Sequence, residues 1–267
     1  GSFECVAQEA GNRGPVEVRD DFHFGYADGT PFVECGTTCY AWAFQAEQTQ
    51  RETIETLRTS PFNKLRMCLF PKWYQYNRSE PPMYPFPRSG DVNDYSWFTP
   101  AYFQHLDRLV LELRGIGVQA DLILFHPYDK WGYQSMPAEV DDRYLRYVIA
   151  RFSAFRNVWW SLANEFDLLK SKTNADWDRY ARIVEEFDPS SHLRSIHYSR
   201  SPYDYSRGWC THAGIQDSHM YGAAGWRIDW RKPVVFDEFR YEGNIASGRD
   251  RHAGDGVTRR FWLTAAH

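Results

Sequence analysis

The chain has 267 residues, 43% of them hydrophobic and 25% charged, with a net charge of −4 and a pI near 6.2. That balance supports one large core and argues against global disorder. Slight acidity without basic runs argues against a nucleic-acid partner, and no apolar run is long enough to span a membrane. Aromatic residues reach 17%, with eleven Trp. They divide between core filling and stacking platforms for flat apolar faces, such as those of sugars. The cysteines, Cys5, Cys35, Cys39, Cys68 and Cys210, contain no CxxC and suggest no disulfide framework. Cys35 and Cys68 lie in apolar runs and read as buried thiols. No signal peptide opens the chain, but Gly1-Ser2 reads as a cloning remnant. The compartment, cytoplasmic or periplasmic and secreted, is therefore left open.

In chain order, residues 1–30 include a β-hairpin, PVEVRDDFHFGYADGT, with a turn at Asp28-Gly29. It is expected to cap the bottom of a domain spanning 31–267. Strands are expected at 31–38, 63–70, within 118–133 (a strand running into a polar turn), 157–165, 193–199, 211–216 and 232–239. Helices are expected at about 47–59, 100–114, 141–155 and 174–187, and from about Thr258 with Phe261 and Trp262 inward. No strong helix is visible between the fifth, sixth and seventh strands. An aromatic- and proline-rich loop, about 71–98, is expected to wall one side of a cleft.

Alternation of strand and helix implies a parallel sheet, and strands buried on both faces read as continuous apolar runs. Seven such units, without a GxGxxG turn, point to an α/β TIM (β/α)8 barrel. The expectation is a barrel lacking its eighth strand. The edges of its first and seventh strands would then be exposed and could pair a homo-oligomer.

Catalytic groups in such barrels sit at the C-terminal ends of the strands. The fourth strand, VWWSLA, runs into Asn164-Glu165; the seventh, VVFD, into Glu238. Across a barrel mouth these glutamates could converge. A separation of about 5 Å suits a nucleophile and an acid/base that retain configuration; roughly 6.5–9.5 Å suits inversion. Asn164 could hold a sugar 2-hydroxyl. Arg66, His126, Asp129, His197, Tyr198 and Gln216 lie near strand ends as binding candidates, and Trp131, Trp209 and Trp226 as stacking candidates. The bland readings are a core ion pair for Arg66, a core histidine for His197 and a turn cap for Asp129. By strand alternation, Asp237 should point away from the interior and be structural.

These residues resemble the retaining (β/α)8 glycoside hydrolases of clan A. In that clan Asn-Glu ends the fourth strand, a nucleophilic Glu ends the seventh, and an Arg lies on the second. Here SLANE, VVFDE and KLRM match. NRGPV, YADGTPF, PFNKLRM, DLILFHPYD, NVWWSLANE, HLRSIH and KPVVFDE extend the likeness, over about residues 3–262, to bacterial cellulase-like barrels. Those relatives carry an N-terminal β-sandwich and a C-terminal domain, and both lie outside this sequence. The resemblance implies catalysis by Glu165 and Glu238 on an oligo- or polysaccharide with a β-linkage, and neither cofactor nor metal. Competing readings are a non-catalytic carbohydrate-binding barrel, a metal hydrolase using His126, His197, His212, His219 and Asp217, and a Schiff-base aldolase using Lys130.

Overall fold

The computed structural model describes residues 4, 6–7, 10–217, 219–239, 241 and 252–266; Cys5 lies outside them. Parallel strands β1 (Gly36–Thr38), β2 (Lys64–Cys68), β3 (Gln119–Phe125), β4 (Val158–Ala163) and β5 (Arg194–Ser195) form a continuous sheet. A parallel bridge from His197 to Gly214 joins it to β6 (Ala213–Gln216), which pairs with β7 (Val234–Glu238). Every residue of β2, β3 and β4 is buried. Their outward side chains, including Leu122, Leu124, Trp160 and Leu162, pack beneath the helices in one large core. Full burial of each such side chain is worth about 1.5–3 kcal/mol.

The helices follow their expected places. They are α1 (Glu47–Thr59), α2 (Pro100–Gly115), α3 (Ala138–Phe152), α4 (Asn174–Phe187), a short α5 (Ala223–Trp230) and α6 (Gly254–Ala266). Pro100 starts α2 at a position that needs no N–H donor, and Gly117, with φ of 77°, takes the left-handed turn that ends it. Thr173 and Asp176 form a reciprocal capping box at α4. The eight-residue α5, between β6 and β7, was not expected from the sequence. On α6, Phe261 is half-buried and Trp262 is exposed, so only the former faces inward.

The stretch 31–38 is two strands, not one. Pro31–Phe32 completes an antiparallel meander with Val16–Arg19 and His23–Tyr26. The Asp28-Gly29 turn lies in the second hairpin of that meander, and the first turns at Asp20 and Asp21, both at positive φ. Phe24 and Phe32 pack on Trp159 at the start of β4, with Val16 and Leu193 beside them. Cys68 and Cys210 are buried; Cys35 and Cys39 are half-buried, and all four are free.

Among the described residues the barrel ladder is open between β7 and β1. Side chains cross that seam. Lys64 Nζ lies 3.1 Å from both Glu34 and Asp237, and the Tyr40 hydroxyl donates to Glu238 at 2.7 Å. The seam opens a cavity of about 730 Å³, whose walls include Phe24, Phe32, Phe62 and Phe236.

Candidate active site

The barrel interior is charged at its middle and holds two carboxylates above. Lys64 and Arg66 of β2 meet Asp121 of β3 and Asp237 of β7; the tightest pair, Arg66 to Asp237, is 2.5 Å. The strong field of these cations holds Asp237 well below the usual carboxylate range despite burial. Asp237 therefore points inward, against the expectation from alternation. The cause is a bulge. Ile215 pairs with Phe236 but Gln216 pairs with Glu238, so Asp237 is the extra residue and both acids face the interior.

Glu238 sits one layer higher, its side chain 13% exposed. Burial raises its pKa, and the Glu165 charge adds to that; the Tyr40 hydroxyl, Lys72 and Arg66 pull it down. Glu165 follows β4 in a left-handed conformation, φ 51° and ψ 55°. An ordinary side chain there costs about 1–2 kcal/mol, and such strain concentrates at functional sites. The conformation turns its N–H onto His197 Nδ1 at 3.2 Å. Its carboxylate accepts from the Tyr128 hydroxyl, from Gln216 Nε2 at 3.4 Å and from Asn164 Nδ2 at 3.4 Å.

His197 lies between the two acids, bonded to the Glu165 backbone and beyond hydrogen-bond reach of Glu238. Since Nδ1 accepts, the neutral ring carries its proton on Nε2, which lies 3.9 Å from the Glu238 carboxylate. Complete burial and the nearby Arg66 charge hold the ring neutral, far below its ordinary pKa. Gln216 joins the two acids: it pairs with Glu238 in the ladder and donates to Glu165. Two acids with separate hydroxyl donors and a histidine between them can divide the labour of nucleophile and proton carrier.

The family described as "Apiosidase-like, catalytic domain" matches residues 19–264. The chain belongs to that family. A solved structure titled "putative glycoside hydrolase", from Bacteroides vulgatus ATCC 8482, superposes on this apiosidase-like chain with a TM-score of 0.94 at 40% identity. It covers 97% of this chain and 54% of its own. A glycoside hydrolase family 5 protein from the same organism gives a TM-score of 0.70 at 15% identity, covering 95% of this chain and 60% of its own. An endo-1,4-beta-mannanase from Rhizomucor miehei gives 0.63 at 13%, covering 84% and 82%. The latter two likenesses concern the fold. The chain thus spans little more than half the length of the first two. No curated protein matches it. The expected resemblance to glycoside hydrolase (β/α)8 barrels is borne out.

Within the apiosidase-like barrel, Asn164, His197 and Gln216 gather at the two glutamates, and the other candidates do not. Arg66 is a sealed core ion pair, with Ser161 at 3.5 Å, and is not bonded to Glu238. Tyr40, not Tyr198, donates to Glu238; Tyr198 is buried, which raises its pKa to about 12. His126 is buried with Nε2 on the Phe70 carbonyl at 3.2 Å, and desolvation with the Lys72 charge lowers its pKa to about 3. Asp129 caps a turn, accepting from the Trp131 and Gln134 N–H groups. Trp131 is buried and donates to Glu80. Trp209 packs on Tyr203 and donates to Asp178, while Trp226 stacks on Trp230 beside Phe236. Each of these three rings is spent on packing or on a carboxylate other than the two glutamates. Lys130 pairs with Glu80 over the Trp73 ring. Among the described residues no three His, Cys, Asp or Glu stand together as metal ligands.

Tyr40, Tyr128 and Lys72 were the residues missed as partners of the acids. Tyr128 and Lys72 were visible at strand ends. Tyr40 gave no signal beyond its place just after the first strand.

Proposed function

We propose that this chain is a glycoside hydrolase domain that cleaves a β-linked glycoside by double displacement with retention. Glu238 attacks the anomeric carbon. Tyr40 orients its carboxylate for that attack. Glu165 protonates the leaving oxygen and then takes a proton from the water that resolves the glycosyl-enzyme. Asn164 binds the sugar 2-hydroxyl in this reading, which its unpartnered Oδ1 beside Glu165 supports. The observation that carries this reading is the pairing of Glu165 and Glu238 through Gln216, with His197 between them and each acid with its own tyrosine donor. The family's description makes apiosides one substrate class to include.

The test is a panel of aryl β-glycosides, an apioside among them, with the product anomer followed by NMR. Glu238→Ala should lose about 10⁴-fold or more in kcat. Glu165→Ala should lose roughly 10²–10⁴-fold on poor leaving groups and less on activated ones. An inverted first product, or wild-type rates in both variants, would refute the mechanism.

A further inference from the structure

Lys72 follows β2 in the stretch LFPKWYQY and is 3% exposed. None of the ion pairs among the described residues includes it. Its ammonium instead lies 3.6 Å from the Tyr40 ring centroid, 4.4 Å from Tyr128 and 4.7 Å from Tyr74. A buried ammonium without a carboxylate partner is costly, and lysines in structural roles are normally paired. Two of the three rings around it belong to the tyrosines whose hydroxyls donate to Glu238 and Glu165. The Asn77 side chain donates to the Lys72 carbonyl at 2.8 Å and fixes the backbone beneath.

We propose that Lys72 is a positioning residue for both glutamates. Its ammonium clamps the Tyr40 and Tyr128 rings so that their hydroxyls stay on Glu238 and Glu165, and its charge offsets the repulsion between the two carboxylates. A cation on three π faces has no carboxylate of its own to neutralise it, so its field remains available to both acids. The other groups facing it are silent on the acid side of neutrality. The three tyrosines and Cys68 are raised by burial, Arg66 keeps its charge, and His126 is held to about 3.

The inference rests on the glycosidase reading, and the experiment separates the two. With the best aryl glycoside, kcat, KM and the acid limb of kcat/KM are measured for wild type, Lys72→Met and Lys72→Arg. Lys72→Met is expected to lose about 100-fold in kcat with KM nearly unchanged, as misplacement of reacting groups by an ångström does. Its acid limb should move up by about one pH unit, because Glu238 loses a nearby cation. Lys72→Arg should keep the acid limb and recover part of kcat. A merely structural lysine would lower the melting temperature and leave the limb in place. That result, with Glu238→Ala inactive, overturns the role of Lys72 alone. If wild type cleaves no glycoside, or Glu238→Ala keeps its activity, the glycosidase reading falls and takes the role with it. Should Lys72→Met not fold, Tyr74→Leu removes one wall of the cage without touching either acid. It is expected to lower kcat several-fold while Tyr74→Phe does not, and a wild-type rate in Tyr74→Leu overturns the proposal.

Discussion

The Glu238 carboxyl is a charge held where charge is disfavoured, and stability measurements can detect this without any substrate. Burial, then the neighbouring Glu165, raises its folded pKa above the unfolded value. The folded state therefore binds the proton more tightly than the unfolded chain. The contribution of Glu238 is most favourable below the unfolded pKa and is lost as pH rises through the folded one. Glu238→Gln keeps the shape and an acceptor for Tyr40 and removes the charge. It should be inactive and yet more stable than wild type at pH 7, by about 0.5–2 kcal/mol, as for other active-site residues relieved of their functional cost. The gain should shrink as pH falls toward 4. Thermal melts of the two proteins between pH 4 and 8 check this; a variant less stable than wild type across the range would contradict it. Glu165 carries a different strain, in its left-handed backbone, and a substitution there by alanine leaves that strain in place.

At the scale of elements, the bulge in β7 decides which acids meet the interior, and it depends on a glycine next door. A Cβ added at Gly214 of β6 would lie 2.5 Å from Asp237 Oδ2 and 3.2 Å from Ser195 Oγ. The Asp237 carboxylate is fixed by Arg66 and Lys64 and cannot withdraw without breaking buried ion pairs. Gly214→Ala is therefore expected to cost about 1–3 kcal/mol by overpacking. It should also lower kcat, because the displaced bulge carries Glu238 with it. Denaturant unfolding and the aryl-glycoside assay check both; stability and rate within error of wild type would show that the strand yields. The same bulge marks where sequence reading stopped working. Helix α1 was read from its period with both ends in place, and α4 from Trp177, Tyr180, Val184 and Phe187 and the Asp188-Pro189 stop. Strands β2 to β4 were read because burial on both faces leaves continuous apolar runs. Alternation then assigned Asp237 to the wrong side, since one extra residue in a strand leaves no mark on local composition. The tryptophans Trp209 and Trp226 were taken for sugar platforms because composition does not tell a packed ring from an open one. Tyr40 reaches Glu238 across the whole sheet, a contact between residues 198 positions apart that local patterns do not encode.

For the molecule as a whole, the barrel interior sets the response to acid. Three histidines, His126, His197 and His212, are buried and kept neutral. Desolvation lowers His126 and His212 to about 3; the positive charges of Lys72, and of Lys64 and Arg66, act in the same direction. All three fold with depressed values, so between the ordinary histidine pKa and those values the unfolded chain takes up protons that the folded chain refuses. These rings then withdraw stability as pH drops below about 6.5, by up to roughly 1.4 kcal/mol per pH unit for each ring. The raised carboxyls of Asp121, Asp129, Asp141 and Glu238 work the other way. His212 offers the cleanest test. It lies at the bottom of the barrel, edge-on to Phe24 and Trp159 and bonded to Thr211, with no contact to either glutamate. His212→Gln keeps a polar side chain and removes one latent proton. Its stability between pH 6.5 and 5 should fall less, relative to pH 7, than that of wild type. Activity at pH 7 should stay near wild type. An unchanged slope would mean that His212 takes up its proton in the folded state, and that the interior is wetter than its burial implies.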